Sequence, residues 1–293
     1  MRRLFFIAGC LALFVCNAHA QEKQSSTVSV LDFGATPFAQ KTAQNLRERL
    51  RETVELLVAD PDLSRAAAKG IGYAGSLNLS LGEARDLGAA LATDFYILGD
   101  AQTLRRSSSA KPVYYESYCS LFVVSARTGR LIMWDRPSFE NDNATDAEAR
   151  LAKELSGETI YRTLLAIRRA REDERSERMI VTANSEPLIE EAPDDEKIAE
   201  AQGVRLPRPY RRLRPEYPES AARAEAEAIV DVLVDVRADG EVAQVQVARW
   251  AGFGLDETTA ATVRKMHFFP AMKNGTAIPM RVLLRYNFRK PPR

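Results

Sequence analysis

The side chains best suited to covalent or metal chemistry are scarce. Three cysteines and two histidines are present in 293 residues, and Cys10, Cys16 and His19 all fall at the N-terminus. That N-terminal stretch has the form of an export signal. Arg2 and Arg3 precede an apolar run from Leu4 to Cys16, and Ala18-His19-Ala20 places small residues before Gln21. Cleavage there leaves one cysteine, Cys119, and one histidine, His267, so an internal disulfide and a Cys/His metal cluster are both ruled out. Cys119 sits between Tyr118 and Ser120 in an alternating stretch with no base nearby in sequence, and is read as a buried structural thiol. His267, beside Phe268 and Phe269, is read as capping or packing, and Trp250 and Phe253, flanking Gly252, as lids on a core, with an exposed contact patch as the alternative.

Three further spellings are set aside. Gly70-x-Gly72-x-x-Gly75 matches a dinucleotide fingerprint, but such a fingerprint follows a strand and opens a helix. Here Asp62 to Lys69 itself reads as a helix, with Gly70 as its C-cap. Ser108-x-x-Lys111 spells a penicillin-binding nucleophile in a Ser-rich loop before Pro112, without the companion motifs. Asp194-Asp195-Glu196 is read as linker charge, because catalytic carboxylates need burial to split their pKa values. No catalytic residue, cofactor or metal site is expected, and the chain is expected not to be an enzyme.

The elements that would position any site divide in two. Length suggests two domains, and 45% hydrophobic with 28% charged residues is ordinary for folded protein. Removing Arg2 and Arg3 from the 41 basic residues leaves 39 against 40 acidic, which gives no electrostatic case for nucleic acid. Residues 27–171 read as a layered α/β domain with a mixed sheet. It opens with a strand at Val28–Phe33, followed by helices carrying Ala43, Leu46, Leu50, Val54 and Leu57, then Leu81, Ala84, Leu87 and Leu91. A buried strand at Phe95–Gly99 and a hairpin, Val113–Val124 with Leu131–Asp135, come next, and Thr145 starts a long helix to Arg171. Residues 172–212 read as a charged, Pro-containing spacer, acidic and then Arg-rich from Arg205 to Arg214, with surface tethering to anionic lipid or cell-wall polymer as the sharper alternative.

In residues 213–290, Val230, Val232, Val234 and Val236 share one face of a strand, and Asp239-Gly240 predicts a type I′ hairpin to Val242–Ala248. Leu255, Thr259, Val263 and Met266 mark a helix. Asn274-Gly275 turns into a last strand from Met280 to Phe288, which is left with a free edge. The overall class expected is α+β in two domains, the second a small three-stranded antiparallel or mixed sheet.

The order Pro215-x-Tyr217-Pro218, Asp239-Gly240, Ala251-Gly252, Leu255-Asp256, Phe269-Pro270-Ala271 and Asn274-Gly275 resembles the C-terminal domain of TonB family proteins over Leu213 to Phe288. One departure is Ala226 and Ala228, where the family usually has a Gly. The resemblance implies a protein–protein interaction domain in transmembrane transport across the cell envelope. Its partner would be an envelope protein such as the N-terminal segment of a TonB-dependent outer-membrane transporter, bound by β-augmentation along Ile278 to Tyr286. Partner-docking residues carried over are Arg214, Pro215, Tyr217, Pro218, Ile278, Met280, Arg281, Val282, Leu284, Arg285 and Tyr286. Arg281 and Arg285 would otherwise simply blunt an edge strand.

Residues 27–171 resemble the N-terminal α/β domain of TolB-like and CsgG-like envelope proteins, through Val30-Leu31-Asp32-Phe33, Gly88-x-x-Leu91, Asp94–Gly99 and Ala126–Leu131. The energy-coupling parts of TonB proteins match poorly. Val15 stands four residues before His19 where the family has Ser, and a spacer of about 37 residues reaches at most about 120 Å. Two readings follow: a non-catalytic periplasmic adaptor, or a structural assembly protein whose first domain oligomerises or binds cell wall and whose last sheet self-pairs into a homodimer. Anchoring in the inner membrane through residues 4–16, or lipidation at Cys10, are the alternatives to a cleaved signal.

Overall fold

A computed structural model describes residues 25–107, 112–183, 189–193 and 196–290. The export segment, Ser108-x-x-Lys111 and Asp194-Asp195 lie outside them. The first half runs β1 (Ser26–Val30), α1 (Pro37–Arg51), β2 (Leu56–Val58), α2 (Pro61–Gly70), α3 (Leu81–Leu91), β3 (Phe95–Arg106), β4 (Tyr114–Ser125), β5 (Leu131–Asp135), β6 (Ser138–Asn141), α4 (Ala144–Ser156) and α5 (Glu158–Ala183). The sheet order is β2-β1-β3-β4-β5. Strand β1 is parallel to β2 and β3, the later pairs are antiparallel, and β6 continues the edge of β4 beyond β5. One face packs Val28, Val30, Ile97 and Leu121 under α1, α4 and α5; the other packs Tyr96, Leu98 and Phe122 under α2 and α3.

Several local expectations change. The first helix ends at Arg51, so Val54, 86% exposed, and Leu57 leave the apolar stripe; Leu57 instead belongs to the parallel strand β2. The helix expected from Thr145 to Arg171 starts one residue earlier, capped by the Asn143 side chain on the Asp146 amide, and breaks at Gly157. Its second half, α5, then continues to Ala183, past the expected start of the spacer. Charge explains the extension. Glu174 accepts from Ser125 Oγ and, at 2.7 Å, from Arg127 Nε, and Glu177 pairs with Arg130, clamping the added turns onto the β4–β5 loop.

The spacer is also partly folded. Short elements β7 (Glu190–Glu191), α6 (Glu196–Ala201), β8 (Val204–Arg205) and β9 (Arg208–Pro209) precede α7 (Glu219–Ala224), β10 (Ala228–Val236), β11 (Val242–Arg249), α8 (Leu255–Val263), β12 (Phe268–Phe269), β13 (Ala271–Lys273), β14 (Thr276–Ile278) and β15 (Met280–Phe288). The second sheet has the order β11-β10-β15-β7. Both long neighbours of β10 are antiparallel to it, and β7 is parallel to the start of β15. The other spacer strands pair with the same half, β8 on β13 and β9 on β12.

Val230, Val232, Val234 and Val236 face Leu255, Val263 and Met266, as the alternation requires. The Asp239-Gly240 turn is not type I′, since only Gly240 (φ +88°) has positive φ. The Arg237 amide donates to the Glu241 carbonyl and the ladder shifts register at Asp235/Val236, so a longer loop with a bulge closes the hairpin. Gly240 is needed there because a Cβ would collide with the Phe268 carbonyl. Asn274 and Gly275 both have positive φ and form the tight turn between β13 and β14.

The two halves share a core. Trp250, 1% exposed, follows β11 and lies against Phe122 of the first sheet, with ring centroids 5.9 Å apart, while its indole N–H donates to the Gly129 carbonyl at 3.0 Å. Asn78, just before α3, makes the matching polar seam. Its amide donates to the Ile229 and Trp250 carbonyls and accepts from the Ile229 amide, and its own carbonyl accepts from Arg249. Trp250 and Phe253 are thus core lids as expected, but the core they close is the one shared by the two halves.

Candidate functional site

The candidate site is the outer edge of β15, and its geometry follows from the β10 pairing. Residues 280–288 oppose 236–228 one to one, so Met280, Val282, Leu284, Tyr286 and Phe288 turn their side chains toward the helices. Met280 and Tyr286 are buried, and Val282 and Leu284 pack against the second core. Arg281, Leu283, Arg285 and Asn287 lie on the open face.

In an antiparallel ladder, alternate residues turn their amides to the far edge. Two contacts fix which ones: the Arg281 carbonyl accepts from the Ala192 amide at 2.8 Å, and the Arg285 carbonyl accepts from the Arg212 guanidinium. The outward-facing set is therefore Arg281, Leu283, Arg285 and Asn287. Leu283 and Asn287 were absent from the sequence-based set; side-chain face and amide direction both alternate with period two, so the outward amides belong to the residues of the open face.

The edge is not empty along its whole length. Glu190 and Glu191 of β7 run parallel to Met280 and Arg281, and Lys273 holds Glu190 at 3.0 Å. The expected free run from Ile278 is corrected accordingly. Ile278 ends β14, before Pro279, and the first two residues of β15 are covered in cis. Among the described residues no strand pairs with the outer edge of β15 beyond Arg281.

The two arginines do more than blunt the edge. Arg281 makes a two-point pair with Asp235 at 2.6 and 2.8 Å, and Arg285 one with Asp231 at 2.8 and 2.9 Å, across the strand pair. Both aspartates are buried under these guanidiniums, and Arg249 adds a contact to Asp231 at 3.5 Å. Forked guanidinium–carboxylate pairs of this kind hold the open face flat and raise the arginine pKa values through the hydrogen bonds the carboxylates accept.

The Pro215–Pro218 segment serves mostly as scaffold. Tyr217 Oη donates to the Ala226 carbonyl at 2.7 Å and its ring lies 6.3 Å from Phe288; Pro218 precedes α7 and packs on Gly254. Arg214 is exposed, and Arg212, missed in the sequence, sits over the Tyr286 ring at 5.1 Å.

The other reactive candidates are dispersed. Cys119 is fully buried, and burial pushes its thiol far above the ordinary range. His267 is exposed with Nδ1 2.9 Å from Glu241. Gly72 and Gly75 lie in a loop after the end of α2, so the glycine fingerprint lacks the strand–helix context it needs. Asp256 was unforeseen. Buried near the start of α8, it accepts from the Ala251 and Gly252 amides at 2.8 Å each, and burial pushes its carboxyl up to about 7 against the pull of those two N–H groups.

Comparison with known proteins bears on the second half most directly. Residues 214–289 match the family described as Gram-negative bacterial TonB protein C-terminal. No curated protein matches the chain. Among solved structures, the TonB C-terminal domain of Pseudomonas aeruginosa is similar at 24% identity, covering 30% of this chain and 89% of its own, with a TM-score of 0.26. The hypothetical protein CT253 from Chlamydia trachomatis is similar at 11% identity (47% of this chain, 96% of that one, TM-score 0.34). The lipoprotein GNA1162 from Neisseria meningitidis is similar at 11% identity (46% and 97%, TM-score 0.32). TonB family proteins are envelope-associated, their C-terminal domains interact with other envelope proteins, and the family is generally non-catalytic. Residues 214–289 of this chain are similar to the C-terminal domain of TonB proteins.

Proposed function

We propose that this protein is a non-catalytic periplasmic adaptor that binds an extended segment of an envelope partner by adding it to the outer edge of β15. The observation that carries the reading is the run of outward amides from Leu283 to Asn287, which no described strand pairs with, on a sheet whose other long edge is β11. Main-chain hydrogen bonds to such an edge supply affinity, and Arg212 and Tyr286 beside it supply a place for side-chain selection. The partner class that fits is the N-terminal segment of a TonB-dependent transporter. The division proposed is an α/β domain at 27–171 and the TonB-type domain at 213–290, with 172–212 as a connection that folds back on the second domain rather than a long arm. The shared core around Trp250 favours an adaptor over a pulling device, because a domain packed on its neighbour cannot be extended freely.

The test is titration of the isotope-labelled protein with synthetic N-terminal segments of such transporters. Amide shifts centred on Leu283, Arg285 and Asn287 are expected. A Leu283→Pro variant removes an N–H that faces away from β10, so it should keep the fold yet weaken binding by at least about tenfold. Absence of binding by every segment, or unchanged affinity in folded Leu283→Pro, sinks the reading.

A further inference from the structure

A second feature lies in the first half of the chain, and none of its lining residues belongs to β15. An open cavity of about 670 Å³ is lined by five arginines from three separate elements: Arg85 of α3, Arg127 of the β4–β5 loop, and Arg171, Arg175 and Arg178 of α5. The three on α5 are four and three residues apart and so share one helix face. Two carboxylates line the same cavity, and both have other duties. Glu174 is held by Ser125 Oγ and Arg127, and Asp94 accepts from the Thr27 amide at 2.8 Å and its hydroxyl at 2.9 Å. With Glu172, which lies 3.9 Å from Arg175, five guanidiniums meet three carboxylates, an excess of two positive charges.

Only part of this grouping serves the fold: Arg127 pairs with Glu174, and Arg178 Nε donates to the Glu174 carbonyl. None of the five belongs to a hydrophobic core cluster. Arg175 reaches Glu172 only at 3.9 Å, and Arg85 spends its Nε on the Leu81 carbonyl of its own helix. Gathering like charges in one concavity is unfavourable unless a counter-anion relieves it, and the effect is larger in a recess than on an open face. The residue type is informative too. Every cation lining the cavity is arginine, whose planar fork matches phosphate oxygens two at a time, whereas lysine would serve a merely solvated surface. Hydroxyls of Ser25 and Ser26 on the same lining add neutral donors.

We propose that this cavity binds a phosphate-bearing anion, with the guanidiniums of Arg171, Arg175 and Arg85 taking its oxygens. The volume and charge excess suit a ligand carrying more than one negative charge rather than a lone carboxylate. The source is either a soluble phosphate compound or a phospholipid headgroup. Ser25 at the rim is nine residues from Cys16, so a chain tethered through residues 4–16 would hold the cavity within about 30 Å of lipid. The inference is independent of docking at β15.

Two arms separate the sources. The purified protein is titrated with inorganic pyrophosphate by calorimetry, and is floated with phosphatidylcholine vesicles with and without phosphatidylglycerol. Three variants accompany it: Arg171→Ala/Arg175→Ala, the single Arg85→Ala, and Arg208→Ala/Arg211→Ala outside the cavity. Saturable pyrophosphate binding, lowered at least tenfold by the first variant, severalfold by Arg85→Ala and not at all by the third, supports the site with a soluble ligand. Phosphatidylglycerol-dependent flotation with the same variant pattern, without pyrophosphate binding, supports it with a headgroup. No binding in either arm, or equal losses in the cavity variants and Arg208→Ala/Arg211→Ala, overturns it.

Discussion

At the scale of single residues, Asp256 ties local chemistry to long-range order. Its carboxyl closes the turn that delivers Trp250 into the first domain, yet it has no cationic partner among its hydrogen bonds and is buried. Because burial raises its pKa to about 7 in the folded state, the native protein holds this proton more tightly than the unfolded chain, whose carboxyl titrates near 3.9. The stability it contributes is therefore full below about pH 4 and is lost as pH rises toward 7. Thermal unfolding should show a midpoint that falls over this window relative to the variant Asp256→Asn, whose midpoint should lack that fall. Parallel midpoints of the two proteins from pH 4 to 7 would refute the assignment. The same scale holds the clearest success of sequence reasoning, Cys119: a mid-strand thiol without a neighbouring base is buried, far from the thiolate a nucleophile needs.

Elements decide what is available for docking. β7 is a strand of two residues, too short to persist alone, and it is held by the Ala192 amide, the Lys273–Glu190 pair and Arg281. It lies on the same edge a partner would extend. An Ala192→Pro variant deletes the amide that donates to Arg281. If β7 competes for the edge, partner affinity should rise a few-fold, read by the same titration; weaker binding would show instead that β7 helps to build the site. No periodicity announces such a strand. Glu190 and Glu191 are exposed, acidic and flanked by prolines, and become β-structure only because β15 offers them amides. The bulged Asp239-Gly240 turn has a similar origin, since the nearby Phe268 carbonyl, and not the dipeptide alone, sets its shape.

For the whole molecule, the consequence is mechanical. The Trp250 and Asn78 contacts join a six-stranded sheet and a four-stranded sheet into one packed unit. The protein should unfold in a single calorimetric transition. Asn78→Ala leaves the Ile229 amide and carbonyl and the Trp250 carbonyl without their partner, at a cost of about 1–3 kcal/mol. That variant should separate the transition into two; a single transition shifted as a whole would mean the halves are coupled through other contacts.

What the sequence determined by itself was local and periodic. The valine alternation of β10, the helix stripe of α8, the Asn274-Gly275 turn and the ordered punctuation of the TonB-type domain all act through neighbours a few residues apart, and each is written in the chain. Tertiary structure alone decided the rest. It turned half of the spacer into sheet and helix, covered the first residues of the outer β15 edge, placed Leu283 and Asn287 on that outward side, and buried Trp250 against the first sheet. It also brought Arg85, Arg127 and three arginines of α5 around one cavity. These outcomes depend on which amides and surfaces remain unpaired once the local elements have formed. That is a property of the assembled shape, and no window of sequence contains it.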